Sequence, residues 1–291
     1  MMDGILFINK EKNMTSHDVV NIARGALKTK RIGHTGTLDP NATGVLVLAV
    51  GRATKLVKYF TNDTKTYNCK FLIGQAYDTD DVTGNLTNES DTSNITDEEI
   101  KIQLNGFIGK SLQTPPDFSA VKHHGKKLYE LARRDIKIYD IDPKEIEILS
   151  IKNILITRFG KVIEIDADIE VSKGTYIRSI ARDLGGKLNN YGCLKELKRT
   201  KVNNVTLEEC YSISDLRNGQ VELYDPFEYL DLPRIKVNEL IKRDIDNGRF
   251  LPVELFKEKT DTIIYSNENE PLAIYYYDEQ KSQMRMSVKW C

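Results

Sequence analysis

The clearest pattern along the chain is alternation. Ile163-Glu164-Ile165-Asp166-Ala167-Asp168-Ile169-Glu170-Val171 is apolar at every second position, the period of a strand with one buried face. Tyr67–Ile73 alternates in the same way, whereas Gly4–Ile8 and Val45–Val50 are apolar runs that read as buried strands. Helical spacing appears in Val19, Val20, Ala23 and Leu27, with Thr15 or Ser16 placed to cap. It recurs over Asp97–Phe107, opened by a Thr96-x-x-Glu99 capping box, over Lys127–Arg134, and over Tyr176–Leu188, where Ile177, Ile180, Ala181, Leu184 and Leu188 share a face. Strand runs separated by single helices, without regular βαβ alternation, predict an α+β fold with a mixed, mostly antiparallel sheet.

Two polar stretches interrupt this pattern. Gly33–Gly44 is crowded with turn formers and predicts a long structured loop entering a buried strand. Tyr77–Asn94 has almost no apolar content and reads as an exposed insertion facing away from any anionic ligand, taken as residues 76–95. After Leu232-Pro233 the chain turns to short strand-like pieces, Arg234–Val237, Asp261–Tyr265, Leu272–Tyr277 and Met284–Val288, with one helix at Asn238–Asn247 ended by Gly248. The boundary divides the chain into residues 1–232 and a small β-rich domain, 233–291. No internal repeat is visible.

Composition narrows the class. With 40% hydrophobic and 29% charged residues in a chain of 291, and no apolar run near the ~18 residues of a membrane span, a globular chain is expected. The start shows no export signal, so the cytoplasm is the expected location. Cys69, Cys193, Cys210 and Cys291 lie far apart with no C-x-x-C pair, so no metal site or disulfide framework is expected. The net charge of −1 gives no overall pull toward polyanions, but the charges are segregated. Residues 1–70 hold eleven basic and five acidic side chains, Lys173–Lys201 eight and two, and Tyr77–Glu99 eight acidic and no basic ones. Basic stretches on a neutral chain can form a local positive face for a nucleic acid, or simply solvated helix faces.

Motifs for phosphate-cradling loops, dinucleotide binding, zinc proteases and serine hydrolases are absent. In the Gly33–Gly44 loop, Asp39 is the candidate for chemistry, although an Asp before Pro is also an ordinary turn residue.

The loop Gly33-His34-Thr35-Gly36-Thr37-Leu38-Asp39-Pro40-x-Ala42-Thr43-Gly44-Val45-Leu46, with Gly4-Ile5-Leu6 and Lys10 before it, resembles the catalytic loop of the bacterial tRNA pseudouridine-55 synthases, the TruB family. The resemblance continues in order through Lys65-Thr66-Tyr67, Phe118–Lys122 with Gly125–Arg133, Ser172–Ile180 and Leu197-Lys198-Arg199. It implies a pseudouridine synthase fold with a central cleft and flanking helices, a PUA-like C-terminal domain, no cofactor or metal, and isomerisation of a uridine in the TΨC loop of tRNA. A stand-alone, monomeric enzyme that needs no protein partner is expected.

By the same resemblance Asp39 is the catalytic aspartate, with Tyr67 and Arg178 as the other catalytic residues. Isomerisation breaks a C–N bond and makes a C–C bond, which suits a carboxylate acting as nucleophile or as base toward the 2′ proton. Arg178 would pair with Asp39. Tyr67 would stack on the uracil, with His34, Tyr176 and Leu197 binding the substrate. Lys10, Lys55, Lys122, Lys126 and Arg199 are the expected phosphate contacts, because basic side chains position RNA without reading it. The target base must be flipped out of its loop. Glu11-Lys12-Asn13 departs from the proline and glycine common in the family, so a different local turn is expected. The tail matches PUA-like domains only loosely, and its ten basic and ten acidic residues give no push toward RNA. The competing readings are a tRNA-folding chaperone using the same cleft and a guide-RNA-dependent synthase subunit.

Overall fold

The computed structural model describes residues 2–61, 64–123, 125–132, 134, 136, 138 and 140–290. The chain opens with β1 (Gly4–Lys10), α1 (Ser16–Ala26), β2 (Ile32–His34) and β3 (Thr43–Val50), and a 3-10 turn over Gly51–Leu56 runs into α2 (Val57–Phe60). Next come β4 (Lys65–Ile73), the short hairpin β5 (Gln75–Tyr77) and β6 (Leu86–Glu89), α3 (Asp97–Asn105) and β7 (Gly109–Gln113). A second small hairpin, β8 (Lys122–His123) and β9 (Lys126–Lys127), leads into α4 (Leu128–Ala132). The long strands β10 (Lys144–Phe159) and β11 (Val162–Val171), then α5 (Ile177–Lys187), β12 (Gly192–Val202), β13 (Val205–Thr206) and α6 (Ile213–Asn218), complete the larger part. The tail holds β14 (Arg234–Val237), α7 (Glu239–Asp246), β15 (Thr262–Ser266), β16 (Pro271–Asp278) and β17 (Gln283–Lys289).

The main sheet runs β1-β3-β12-β4-β11-β10-β7, with β2 beside β3 and β13 beside β12. Its pairings are antiparallel except β3 with β12, so the sheet is mixed and mostly antiparallel, as the pattern predicts. Burial explains the unbroken apolar runs. Leu6, Ile8, Leu46 and Leu48 face a core built with α1, α5 and α6. Their neighbours Ile5, Phe7, Val45 and Val47 face a second core on the reverse side, which includes Ile263, Ile274 and Val288 of the C-terminal sheet. That sheet has the order β14-β15-β16-β17, and its first pair is parallel. β11 keeps Ile163, Ile165, Ala167 and Ile169 fully buried, while Glu164 and Asp166 on its other face pair with Lys70 at 3.5 and 3.6 Å.

The helices form where their caps allow. Thr15 caps α1 and Thr96 caps α3, each in a reciprocal box with the acidic residue three positions on. The third helix predicted is shorter than expected, and Arg133 within that prediction lies outside the described residues, as does Cys291. Among the described residues no helix is long and apolar enough to cross a membrane.

Candidate active site

The loop between β2 and β3 carries Asp39, and the interior of the protein holds it from three directions. Ser16, released from capping by Thr15, donates its hydroxyl to the Leu38 carbonyl at 3.1 Å and accepts the Leu38 N–H at 2.8 Å. Lys10, 0% exposed, donates to the carbonyls of Glu11 and Met14, both at 2.8 Å, and of Pro40 at 3.3 Å. Arg199, 2% exposed, donates to the carbonyls of Val45 at 2.7 Å, Gly36 at 3.1 Å and Thr37 at 3.4 Å. Gly44 lets β3 reach β12: at φ +107° it takes a left-handed backbone, and a Cβ there would lie 2.1 Å from the Arg199 carbonyl oxygen. The departure at Glu11-Lys12-Asn13 is closed by Asn13 itself, which adopts φ +64° and donates its N–H to Pro40 at 2.9 Å. Leu38 and Ala42 are buried, so the loop is anchored on both sides of Asp39.

The Asp39 carboxylate stands 40% exposed at the mouth of this scaffold, 3.1 Å from Nε of Arg178. Arg178, in the first turn of α5, is itself buried and spends its other nitrogens on the carbonyls of Thr79 and Phe118, each at 3.0 Å. Its Nε also lies 3.8 Å from Asp81. One guanidinium therefore joins the Asp39 loop, the acidic segment after β5 and the stretch before β8. Tyr67, in the middle of the sheet on β4 between Ile169 and Arg199, is buried, and Leu197 on β12 is half-buried. Tyr176, at the cap of α5, exchanges backbone hydrogen bonds with the Gln113 amide at 2.8 and 3.0 Å. Burial pushes its phenol pKa up. Asp39, Tyr67, Tyr176, Arg178 and Leu197 all line one open cavity of about 760 Å³, within the range of small-molecule and nucleotide sites.

Several expected positions come out differently. Lys10 and Arg199, expected as phosphate contacts, are both buried, and their donors are spent on carbonyls of and beside the Asp39 loop. Burial pulls the Lys10 ammonium down to about 8, against the favourable pull of Asp39. Lys55 is exposed but reaches the Lys289 carbonyl of the C-terminal sheet at 3.2 Å. Lys122 and Lys126 lie exposed on the β8–β9 hairpin. His34, half-buried on β2, does not line the cavity, and its Nδ1 finds no hydrogen-bond partner among the described residues. Burial and, secondarily, the Arg199 charge lower its pKa.

The largest correction concerns the acidic segment. It does not face away: Thr79, Asp81 and Thr83 line the cavity, and Asp80 pairs with Arg182 of α5 at 3.0 Å. Its longest exposed run is residues 85–89, and Asp78, Thr83, Asp91, Ser93 and Asn94 are exposed as well. Burial outweighs the arginines here and pushes the Asp80 carboxyl up to about 6. The sequence signal for this role is the aspartate pair Asp80-Asp81 between two threonines, unremarkable without the arginines that α5 brings to it. Among the described residues no cluster of His, Cys, Asp or Glu has the arrangement of a metal site.

Comparison with known proteins gives this geometry a context. The family described as TruB family pseudouridylate synthase (N terminal domain) matches residues 24–177. The tRNA pseudouridine synthase B of Bacillus pumilus is 37% identical over 302 residues, covering 99% of this chain and 97% of that protein. That of Clostridium perfringens is 39% identical over 94% of this chain and 90% of its own length. That of Bacillus subtilis is 37% identical, covering 99% and 97%. Among solved structures, a Cbf5-Nop10-Gar1 complex contains a chain with the same fold, at TM-score 0.72 and 20% identity, over 99% of this chain and 84% of that one.

Proposed function

The chain belongs to the TruB family of pseudouridylate synthases, and on that footing we propose that it converts the uridine at position 55, in the TΨC loop of tRNA, to pseudouridine, with Asp39 as the catalytic group. The observation that carries this reading is the Asp39 carboxylate, held by a loop whose carbonyls are clamped from below and paired with the Arg178 guanidinium at 3.1 Å on the wall of a cavity that also contains Tyr67. A guanidinium at that distance makes a charge-assisted contact with the carboxylate and fixes its direction. Such an oxygen can add to the base or sugar, or take the 2′ proton; both routes start from the same atom. The uracil leaves its sugar, turns and rejoins through carbon, so the site must hold a detached base while excluding water. Tyr67 supplies the aromatic face for stacking and Leu197 an apolar wall.

Reaching this pocket requires the nucleotide to leave its stack, which costs a few kcal/mol and is offset by contacts outside the pocket. The exposed lysines Lys122 and Lys126 on the β8–β9 hairpin are the candidates for holding phosphates. We read the protein as a cytoplasmic monomer that needs neither cofactor nor protein partner. Incubating the purified chain with unmodified tRNA transcript and mapping pseudouridine tests the whole proposal. Product at the single TΨC-loop position is expected, and binding without product would favour a folding chaperone instead.

A further inference from the structure

Three side-chain atoms among the described residues are buried without a hydrogen-bond partner: Arg24 Nε, His34 Nδ1 and Ser119 Oγ. Ser119 is the one that lines the Asp39 cavity. It is 4% exposed. Its backbone is firmly placed, since its carbonyl accepts the Tyr129 N–H at 3.1 Å and the preceding carbonyl, Phe118, accepts from Arg178 at 3.0 Å. The segment leading to it is pinned as well, because Ser179 donates its hydroxyl to the Thr114 carbonyl at 3.0 Å. The Tyr176 phenol is close enough to Ser119 to feel its hydroxyl, but Ser119 Oγ makes no hydrogen bond of its own in the free protein. Native proteins satisfy nearly all buried polar groups, so a hydroxyl left open in a rigid cavity wall points to a partner that arrives with the ligand.

We propose that Ser119 is a base-contacting residue whose hydroxyl donates to one carbonyl oxygen of the pyrimidine held in the cavity. This rests on the proposed pseudouridine-forming activity. Tyr67 and Leu197 offer surfaces for the faces of a ring, not partners for its edge. The two guanidiniums on the wall are committed, Arg178 to Asp39 and to backbone carbonyls and Arg199 to the loop. Uracil carries carbonyls at C2 and C4, and a base that has left its sugar needs an edge contact to control its rotation before the new bond forms.

The test uses the full-length protein and TΨC stem-loops carrying uridine, 2-thiouridine or 4-thiouridine at the target position. Single-turnover rates are measured for the wild type, Ser119→Ala and Ser119→Thr. Ser119→Ala is expected to slow conversion of uridine about tenfold, the loss of one hydrogen bond, with stem-loop Kd within about twofold because binding rests on many other contacts. Ser119→Thr, which keeps the hydroxyl, is expected to recover most of the rate. Sulfur is the weaker acceptor, so one of the two thio substrates should slow the wild type and cost Ser119→Ala nothing further. Removing an unpartnered hydroxyl should not lower the Tm of the free protein. Wild-type speed in Ser119→Ala overturns the proposal, as does a slow variant with a lowered Tm or with the wild type's sensitivity to both sulfurs. A wild type inert on plain uridine overturns the proposed function, and this contact with it.

Discussion

Two turn-rich polar segments meet at Arg178, and they are held in different ways. The Asp39 loop is fastened from inside by Lys10, Ser16 and Arg199, three polar side chains that are almost wholly buried. The acidic segment 78–83 is folded mostly on itself: Asp78 accepts the Asn85 N–H at 2.8 Å and Asp81 accepts the Thr83 N–H at 2.9 Å. Its ties to the body are the Thr79 carbonyl, two backbone bonds with Leu194 (Val82 N–H to its carbonyl, its N–H to the Asp80 carbonyl), the 3.8 Å approach of Asp81 to Arg178, and the Asp80–Arg182 pair, whose guanidinium is partly exposed. Buried donors are costly to desolvate and costly to lose, whereas exposed ion pairs contribute little. The contrast suits the two proposed duties: a nucleophile or base needs fixed geometry, and a cavity wall can be held more loosely.

The hardest break is at the carboxylate itself. Asp39→Asn keeps the side chain's size and its loop bonds but removes the charge, and conversion of uridine is expected to fall by about 10³-fold or more. Affinity for tRNA should stay within about tenfold, since it is spread over many contacts. Rapid-quench pseudouridine assays and filter binding on the same preparation measure both. Near-normal turnover in Asp39→Asn would take the chemistry away from this loop altogether.

Stability separates the two fastenings next. Arg199→Met leaves the carbonyls of Gly36, Thr37 and Val45 without their donor and should cost about 3 kcal/mol in urea unfolding. Arg182→Met removes a tie of the acidic segment and should cost less than about 1 kcal/mol, because that guanidinium is partly solvated. Equal losses would erase the distinction between an internally clamped loop and a self-folded one.

How much of this could be read from the chain follows from where each residue's partner comes from. Asp39 and its loop were legible because glycines, threonines and proline crowd a dozen positions, and Arg178 because its motif recurs in the family. Strands that alternate cleanly, such as β11, were legible for the same local reason. The long strand β10 was not, since register breaks between Ile148 and Ser150 and between Lys152 and Leu155 scramble its period. β12 hides in the same way behind irregularities at Leu194/Glu196 and Arg199/Lys201. Lys10 and Arg199 read as surface charges because nothing near them in sequence shows that backbone carbonyls will surround them. The acidic segment was misread on the same ground: Arg178 and Arg182, about a hundred residues on, turn its aspartates inward.

A smaller effect tests which basic side chains still meet RNA once Lys10 and Arg199 are assigned to the interior. Lys122→Ala and Lys126→Ala should each flatten the dependence of log Kd for tRNA on log salt by roughly one released counterion. Both are exposed on a hairpin whose two strands are two residues long each, so neither should change Tm measurably. Unchanged slopes in both would move the phosphate contacts to another face and leave the β8–β9 hairpin without a role in binding.

The finest test is the pH dependence of stability, where the two segments should carry opposite signs. Burial lowers the Lys10 pKa from 10.5 to about 8 in the folded protein. Between those values the unfolded chain holds a proton that the folded one has released, so this group makes stability rise with pH across that window. Asp80 is shifted the other way, from 3.8 to about 6. Between those values the folded protein holds the extra proton, and stability falls as pH rises through the window. Urea midpoints across both ranges should therefore show an alkaline rise that Lys10→Met flattens and an acid-side fall that Asp80→Asn flattens, with neither variant touching the other's window. An alkaline rise that survives in Lys10→Met would mean that its ammonium is not desolvated beneath the loop, and the internal clamp would then rest on Ser16 and Arg199 alone.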